Sequence, residues 1–149
     1  IFYYIWSIRG IWYPSICGNF KIDMAENVKK SVLIIENDEA IRDNLKHRFK
    51  KQGMLVISAK DGYEGYVRAC NEKPDLVIVE SLLSSMSGFR VSRLLKFDDR
   101  YKETRIVMMT TNDLMAVKTM YEACGADHII RKPFKFKELL DVIDNRVNA

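Results

Sequence analysis

Five short apolar runs divide the chain from residue 31 onward. They are VLII at 32–35, MLVI at 54–57, LVIV at 76–79, IVMM at 106–109 and II at 129–130. Each run is continuous rather than alternating, which is typical of strands covered on both faces. The runs therefore predict strands inside a sheet that has a layer on either side.

The segments between the runs carry apolar residues at helical spacing. Asp38 is placed to cap the first of these helices and Gly53 to end it. Strand and helix alternate five times, which predicts an α/β fold with a parallel sheet, right-handed crossovers and helices on both faces. The predicted buried stripes are Ile41, Leu45 and Phe49; Tyr63, Val67 and Cys70; Val91, Leu94 and Leu95; Val117, Met120 and Cys124; and Leu139, Ile143 and Val147.

Polar residues follow four of the five predicted strands. Ligands of open parallel sheets bind beyond the carboxyl ends of the strands, so these residues form the candidate site. Two acids suit a hard cation, and a lysine with a hydroxyl suits an oxyanion. The first turn is acidic and lacks glycine, so it would repel phosphate, which excludes a flavin or nucleotide binder. The residues are Glu36 and Asn37, Glu80, Thr110 and Lys132.

The composition is that of one globular domain with an ordinary surface. The 149 residues are 48% hydrophobic, enough for one core, and the 24 basic residues are mixed with 20 acidic ones. The densest basic stretch is KHRFKK at 46–51. A solvated helix face explains it better than a phosphate-binding stripe, since DNA binders make about 6 to 10 phosphate contacts. We therefore expect no direct nucleic-acid binding, and three widely separated cysteines favour a reducing cytoplasm.

The first 23 residues differ from the rest and include both tryptophans, Trp6 and Trp12. Their uncharged runs are broken by Arg9 and contain Pro14, whereas a membrane span needs about 20 mostly apolar residues. They also lack the build of a signal peptide. We predict that residues 1–23 are an extraneous or disordered tail, that residues 24–149 form one domain, and that no segment enters a membrane.

Four segments at the strand ends resemble the receiver domain of two-component response regulators. They are ENDEA, PDLVIVE, MMTT and GADHIIRKPF, and the resemblance covers about residues 31 to 147. It implies a three-layer αβα sandwich of the flavodoxin-like type, with a five-stranded parallel sheet in the order 2-1-3-4-5. It also implies a cytoplasmic phosphorelay module that signals and is not an enzyme.

The resemblance assigns roles to individual residues. Glu36 and Asn37 match the acidic pair that holds magnesium, and the Leu82 carbonyl would join them. Glu80 stands where the phospho-accepting aspartate belongs and would also face the metal. Thr110 and Lys132 match the residues that contact the phosphoryl group. Ile129 stands at the aromatic switch position.

Several positions depart from the family pattern. Glu80 carries an extra methylene, and a displacement of about 1 Å in a positioned site costs on the order of 10²-fold in rate. Asn37 removes a negative charge from the metal site, so magnesium is expected to bind weakly. We therefore predict a pseudo-receiver. Its Glu80 either mimics the phosphorylated state or only satisfies Lys132 in a salt bridge.

The expected partner is a protein, either a histidine kinase or a downstream signalling protein. It would bind the surface of the fourth helix, fifth strand and fifth helix, which could also form a homodimer. The alternative function is a working receiver that takes a phosphoryl group from a histidine kinase with magnesium. An unrelated α/β enzyme is disfavoured because no nucleophile and base are paired. The predicted partner residues are Lys118, Tyr121, Ile129 and Lys137.

Overall fold

The computed structural model describes residues 29–144 and, before them, the backbone of Ser7–Ile8 and Ile11–Trp12, which pair as a short antiparallel ribbon. Apart from this ribbon, the predicted tail lies outside the described residues. Val147 of the fifth predicted stripe also lies outside them. The prediction that residues 24–149 form the domain therefore stays a prediction at both ends.

One five-stranded parallel sheet lies at the centre of the described residues. Its spatial order is β2-β1-β3-β4-β5, which confirms the flavodoxin-like order expected from the sequence. Every apolar run falls inside a strand or overlaps one. The strands are β1 (Ser31–Ile35), β2 (Leu55–Ala59), β3 (Leu76–Glu80), β4 (Arg105–Thr110) and β5 (His128–Arg131).

Helices follow each strand and form the two outer layers. As predicted, Asp38 caps the first helix by accepting a hydrogen bond from the Ile41 backbone N–H at 3.0 Å. Gly53 follows this helix with a φ of +79°, a conformation that glycine adopts without steric cost. The helices are α1 (Glu39–Lys51), α2 (Gly62–Glu72), α3 (Gly88–Lys96), α4 (Leu114–Cys124) and α5 (Phe136–Asp144).

The sheet divides the core into two apolar clusters because successive strand residues point to opposite faces. On one face Leu33 and Ile35 pack with residues of α2, α3 and α4. On the other face Val32 and Ile34 pack with residues of α1 and α5. Both faces of the sheet are therefore covered, as the continuous apolar runs predicted.

The predicted stripe of α2 is wrong in part. Tyr63 is 62% exposed and Val67 is 37% exposed, whereas Gly65 and Ala69 face the sheet. A Cβ at Gly65 would lie 2.4 Å from the Ile35 Cδ1 atom, so the helix lies too close to β1 for larger residues. Helical spacing identified the helix, but close packing selected its smallest residues for the interface.

Two further stripe residues are also solvent-facing. Leu94 of α3 is 38% exposed, and Met120 of α4 is 49% exposed. Val91 and Leu95 are buried on α3, and Val117 is buried on α4. The buried face of each helix is therefore narrower than its apolar face. Within residues 29–144, no helix combines the length and the apolar character needed to cross a membrane.

Candidate functional site

The carboxyl ends of β1, β3, β4 and β5 bring four of the predicted side chains to one rim of the sheet. Glu36 directly follows β1, and its backbone N–H donates to the Ala59 carbonyl of β2 at 3.2 Å. Lys132 directly follows β5, and its N–H donates to the Thr110 carbonyl of β4 at 2.7 Å. These bonds continue the sheet ladder by one residue, so the rim residues are held by the sheet itself.

Lys132 lies between two glutamates and forms an ion pair with each. Its Nζ lies 2.6 Å from the Oε2 atom of Glu36 and also contacts the Oε2 atom of Glu80. Glu36 is 1% exposed and Glu80 is 4% exposed. We call these three residues the Glu–Lys–Glu triad. A buried pair of carboxylates thus converges on a single ammonium group.

The remaining oxygen of each glutamate is also bonded. The Oε1 atom of Glu36 accepts a hydrogen bond from the Asp38 N–H at 3.0 Å. The Oε1 atom of Glu80 accepts from the Leu82 N–H at 3.2 Å and from the Ser81 hydroxyl at 3.0 Å. All four carboxylate oxygens of the triad therefore have a partner within the protein.

Thr110 reaches the triad through Ser81 and not directly. The Ser81 Oγ atom lies 3.1 Å from the Thr110 Oγ1 atom, which accepts a hydrogen bond from the Asn112 N–H at 3.1 Å. Ser81 has a single hydroxyl hydrogen, and the Glu80 carboxylate is the stronger acceptor for it. The Thr110 hydroxyl is then left to donate to Ser81, which forms a chain from β4 to Glu80.

The two glutamates keep Lys132 charged. Burial disfavours the ammonium form, but the hydrogen bonds to Glu36 and Glu80 outweigh burial and raise the pKa of Lys132 above its ordinary value of 10.5. With both glutamates ionised, the triad carries one net negative charge. The Arg42 guanidinium donates to the backbone carbonyls of Glu36 and Asn37 at 2.8 and 3.3 Å.

The loop after β3 is pressed against the rim. A Cβ on Gly88 would lie 2.1 Å from the Glu80 carbonyl oxygen, so only glycine fits where α3 begins. The same loop is tied to α2 by Ser85, whose hydroxyl donates to Asp61 at 3.0 Å and accepts from the Tyr63 N–H at 3.2 Å. The loop is therefore held against the end of β3 at Gly88 and against the start of α2 at Ser85.

The residues assigned to magnesium fit that ion poorly. Asn37 is exposed, and both carboxylates already bind Lys132. Leu82 bonds to Glu80 through its N–H. In the part of the chain that the structure describes, no three His, Cys, Asp or Glu side chains are grouped so that they could hold a metal ion.

Two site residues were not predicted from the sequence. Ser81 is fully buried and bridges Glu80 and Thr110, and Arg42 caps the carbonyls of the first loop. Ser81 has a recognisable signal, since it directly follows a strand-end acid. Arg42 has none beyond its place in the first turns of a helix, where arginines commonly face solvent.

The predicted partner residues come from β5, an edge strand of the sheet, and from α4 and α5, which pack on its opposite faces; they differ in exposure. Lys118 and Lys137 are exposed. Tyr121 is half-buried, and its hydroxyl donates to the Asp127 carbonyl at 3.3 Å. Ile129 is half-buried and packs against the cluster beneath α4. The two lysines are thus available to a partner, whereas Ile129 contributes mainly to packing.

Comparison with known proteins identifies the family. Residues 32–144 match the response regulator receiver domain. The chain therefore belongs to the response regulator receiver domain family, which confirms the resemblance found in the sequence. Receiver domains are signalling modules of two-component systems.

Individual relatives agree with this assignment. PilG of Pseudomonas aeruginosa is 28% identical over 116 residues, which are 78% of this chain and 86% of PilG. RpaA of Synechocystis, a DNA-binding dual master transcriptional regulator, is 32% identical over 109 residues, 73% of this chain and 45% of RpaA. The chain thus spans less than half of RpaA.

Solved structures share the fold. The chemotaxis response regulator CheY4 of Vibrio cholerae superposes with a TM-score of 0.71 at 28% identity, covering 77% of this chain and 99% of CheY4. The receiver domain of the sensor histidine kinase PA1611 from Pseudomonas aeruginosa, which has a magnesium ion coordinated in its active site cleft, gives a TM-score of 0.71 at 19% identity. That match covers 78% of this chain and 95% of the other. At this identity the second match concerns the fold alone.

Proposed function

We propose that this receiver domain acts as a pseudo-receiver, which signals through protein–protein contacts without taking a phosphoryl group. The observation that carries the proposal is the state of Glu80. Its carboxylate stands at the acceptor position, is 4% exposed, and has both oxygens bonded within the protein. An acceptor needs an oxygen aligned with the incoming phosphorus, and the bonds to Lys132, Ser81 and Leu82 hold this carboxylate in its present orientation.

The length of the Glu80 side chain and the charge of the rim support the same conclusion. Phosphoryl transfer depends on positioning and on cations that neutralise the transferred group. Glu80 is longer than the family's aspartate, and Asn37 leaves the rim with one carboxylate fewer. We therefore propose that magnesium binds weakly, with half-saturation in the millimolar range, since even intact sites of this kind use few protein carboxylates.

The competing function is phosphotransfer from a histidine kinase with magnesium. Thr110 and Lys132, the two phosphoryl-contact positions, favour it because both lie at the rim. Intact mass after incubation with a small acyl-phosphate donor and magnesium separates the two functions. The pseudo-receiver keeps its mass, and a gain of one phosphoryl group that hydroxylamine removes, as it removes an acyl phosphate, would establish the competing function.

Glu80 also bears on which signalling state the domain holds. A carboxylate carries less charge than the roughly −1.5 to −2 of a phosphate, so any mimicry is partial. The substitution Glu80→Gln keeps the length and removes the charge. If Glu80 sets the state, the amide shifts of Thr110, Ile129 and Lys132 change together. If they stay constant, Glu80 serves only as a salt-bridge partner of Lys132.

The partner surface that we propose comprises α4, β5 and α5. Its most exposed apolar side chains lie on α4, where Met115 is 76% and Leu114 is 43% exposed, and Met120 adds a second flexible thioether. Methionines adapt to varied apolar surfaces, which suits a docking face. Lys118 of α4 and Lys137 of α5 are also exposed, and Lys118 pairs with Glu122 at 3.9 Å.

Substitutions on α4 test whether a protein partner binds this surface. A Met115→Ser and Met120→Ser double variant should retain its thermal unfolding, because both side chains face solvent, and should lose binding to the partner. Sedimentation of the unmodified protein at two concentrations detects a homodimer through the same face. A dimer that survives the double variant would place the contact elsewhere.

A further inference from the structure

A groove of about 660 Å³ between α2 and α3 has apolar side chains open to solvent. Phe97, directly after α3, is 72% exposed and Leu94 is 38% exposed, while Tyr66 lines the groove from α2. Tyr63 lies one turn before Tyr66 and is 62% exposed, so it extends this apolar surface along α2. The larger side chains of α2 thus lie on the outside of the domain, beside the exposed apolar residues of α3.

Two arginines of α3, Arg90 and Arg93, also line the groove, and both are exposed. Within residues 29–144 neither of them forms an ion pair. The Arg93 guanidinium lies over the Phe97 ring, 5.7 Å from its centroid, in a cation–π contact. A stacked guanidinium still presents the N–H groups at its edge, so it can bind a carboxylate through two hydrogen bonds.

The acidic side chains of the groove already have cationic partners. Asp98 forms an ion pair with Arg100 at 2.7 Å, and Asp99 forms one with Lys102 at 3.1 Å. Each of these pairs is neutral, so the groove keeps the positive charge of its two unpaired arginines. A partner that complements the groove must therefore be acidic as well as apolar.

We propose that this groove binds an acidic amphipathic α-helix of a protein partner. Arg90, Leu94 and Phe97 follow the spacing i, i+4 and i+7, which places them along one face of α3 over about 10 Å. A partner helix that lies along α3 meets this face with its own apolar residues at helical spacing and with carboxylates beside them. Arginine and aromatic residues are also the types enriched in protein interfaces. This surface is formed by other helices than the proposed surface of α4, β5 and α5, and it is independent of phosphoryl transfer.

The probe is a fluorescein-labelled synthetic peptide of about 18 residues, long enough to be helical alone. It carries leucines at positions i, i+3, i+4 and i+7 and glutamates on either side of them, and a second probe has lysine in place of every glutamate. Fluorescence anisotropy measures the Kd of each probe for the wild type. The glutamate probe should bind at least about tenfold more tightly than the lysine probe, and its affinity should fall as salt is added. Equal affinity for both probes, or binding of neither, overturns the proposal.

Substitutions at exposed positions locate the bound helix. Arg90→Glu with Arg93→Glu should weaken binding of the glutamate probe about tenfold or more, because both charges are reversed. Phe97→Ser should weaken it by a similar factor, since it removes the most exposed apolar side chain of the groove. Thermal melts check that both variants are folded. A wild-type Kd in either folded variant overturns the proposal.

Two control variants match these changes at other places in the domain. Lys50→Glu with Lys51→Glu changes the net charge by the same amount on α1, which packs on the other face of the sheet. Leu55→Ser removes an apolar side chain that is 54% exposed at the start of β2. Both controls should keep the wild-type Kd within about twofold. Losses as large as those of the groove variants overturn the proposal.

A second copy of this chain is the other occupant to be tested. Sedimentation of the wild type and of Arg90→Glu with Arg93→Glu, each without peptide, should give the same oligomeric state. A dimer that is present in the wild type and lost in the double variant would make the occupant a second copy and overturn the proposal.

Discussion

Lys96 and Lys132 bind opposite ends of the last two strands with the same chemical group but with different partners. Lys96 lies at the amino ends of β4 and β5 and joins Asp127 to two backbone carbonyls. Lys132 lies at the carboxyl end of β5 and joins Glu36 and Glu80. The amino-end site is close to charge balance, whereas the carboxyl-end site has an excess of negative charge.

For the proposed pseudo-receiver, the difference lies in how much buried negative charge each lysine must neutralise. A balanced ion pair needs no further ligand and only anchors the chain. A site with surplus negative charge depends on the cation that lies within it. In this protein Lys132 supplies that cation, so its ion pairs also hold together the chain segments that follow β1 and β5 and the end of β3.

The largest effect is expected from breaking each ion pair in turn. Lys132→Met should lower the free energy of unfolding by about 3–5 kcal/mol, because it leaves two buried carboxylates without a neutralising cation. Lys96→Met should cost about 1 kcal/mol, since Asp127 is partly solvated. Urea unfolding followed by circular dichroism measures both values. Equal costs would mean that the number of carboxylates does not distinguish the two sites.

A smaller effect is expected from two buried serines that bond to different acceptors. Ser81 bonds to the Glu80 carboxylate at 3.0 Å, whereas Ser92 bonds to the neutral Cys124 carbonyl at 3.1 Å. Hydrogen bonds to charged groups are stronger, so Ser81→Ala should cost about 2 kcal/mol and Ser92→Ala about 1 kcal/mol. The same urea titrations measure the stability costs of the two serine variants and so rank them. A larger loss for Ser92→Ala would contradict a charged acceptor at Ser81.

The pH dependence isolates the charge on Lys132. Its folded-state pKa is raised above 10.5, so its contribution to stability is complete below 10.5 and is lost as the pH rises through the folded-state value. Between pH 9 and pH 11.5 the wild type should therefore lose more stability than Lys132→Met. Burial also raises the pKa of Tyr101 and Tyr121, but both proteins share that loss and it cancels in the difference. Parallel curves of unfolding free energy against pH for the two proteins would show that the triad does not favour the charged form of Lys132.

The smallest effect is expected from removing the start of the chain. A chain that begins at Met24 should unfold cooperatively with a Tm within about 1 °C of the full chain, because residues between 32 and 139 already form a buried apolar cluster on each face of the sheet. Thermal melts of the two chains compare them directly. Loss of cooperative unfolding in the shorter chain would make the aromatic segment part of the core.

Much of the fold was predictable because strands buried on both faces leave an unambiguous signal. The five apolar runs identified the strands, and Asp38 and Gly53 marked the bounds of α1. The buried face of α2 was not predictable. Gly65 and Ala69 give weak periodic signals, whereas Tyr63 and Val67 give strong ones, and only the distance between α2 and β1 decides which residues fit.

The sequence predicted which residues form the site but not which of them bond to one another. Strand-end position identified Glu36, Glu80, Thr110 and Lys132, because parallel strands end at one rim. The sequence offered no means to predict that Lys132 would bind both glutamates at once, or that Ser81 would stand between Glu80 and Thr110. Such contacts depend on side-chain reach in three dimensions, which spacing along the chain does not encode.

Intact mass of the wild type beside Glu80→Asp with Asn37→Asp tests the central claim most directly. All proteins receive the same small acyl-phosphate donor and magnesium. The wild type should keep its mass, the double variant should gain one phosphoryl group, and Glu80→Asp alone should gain less, because the metal that neutralises the phosphate would still be poorly held. A phosphoryl group on the wild type, at a yield equal to that of the double variant, would contradict the account.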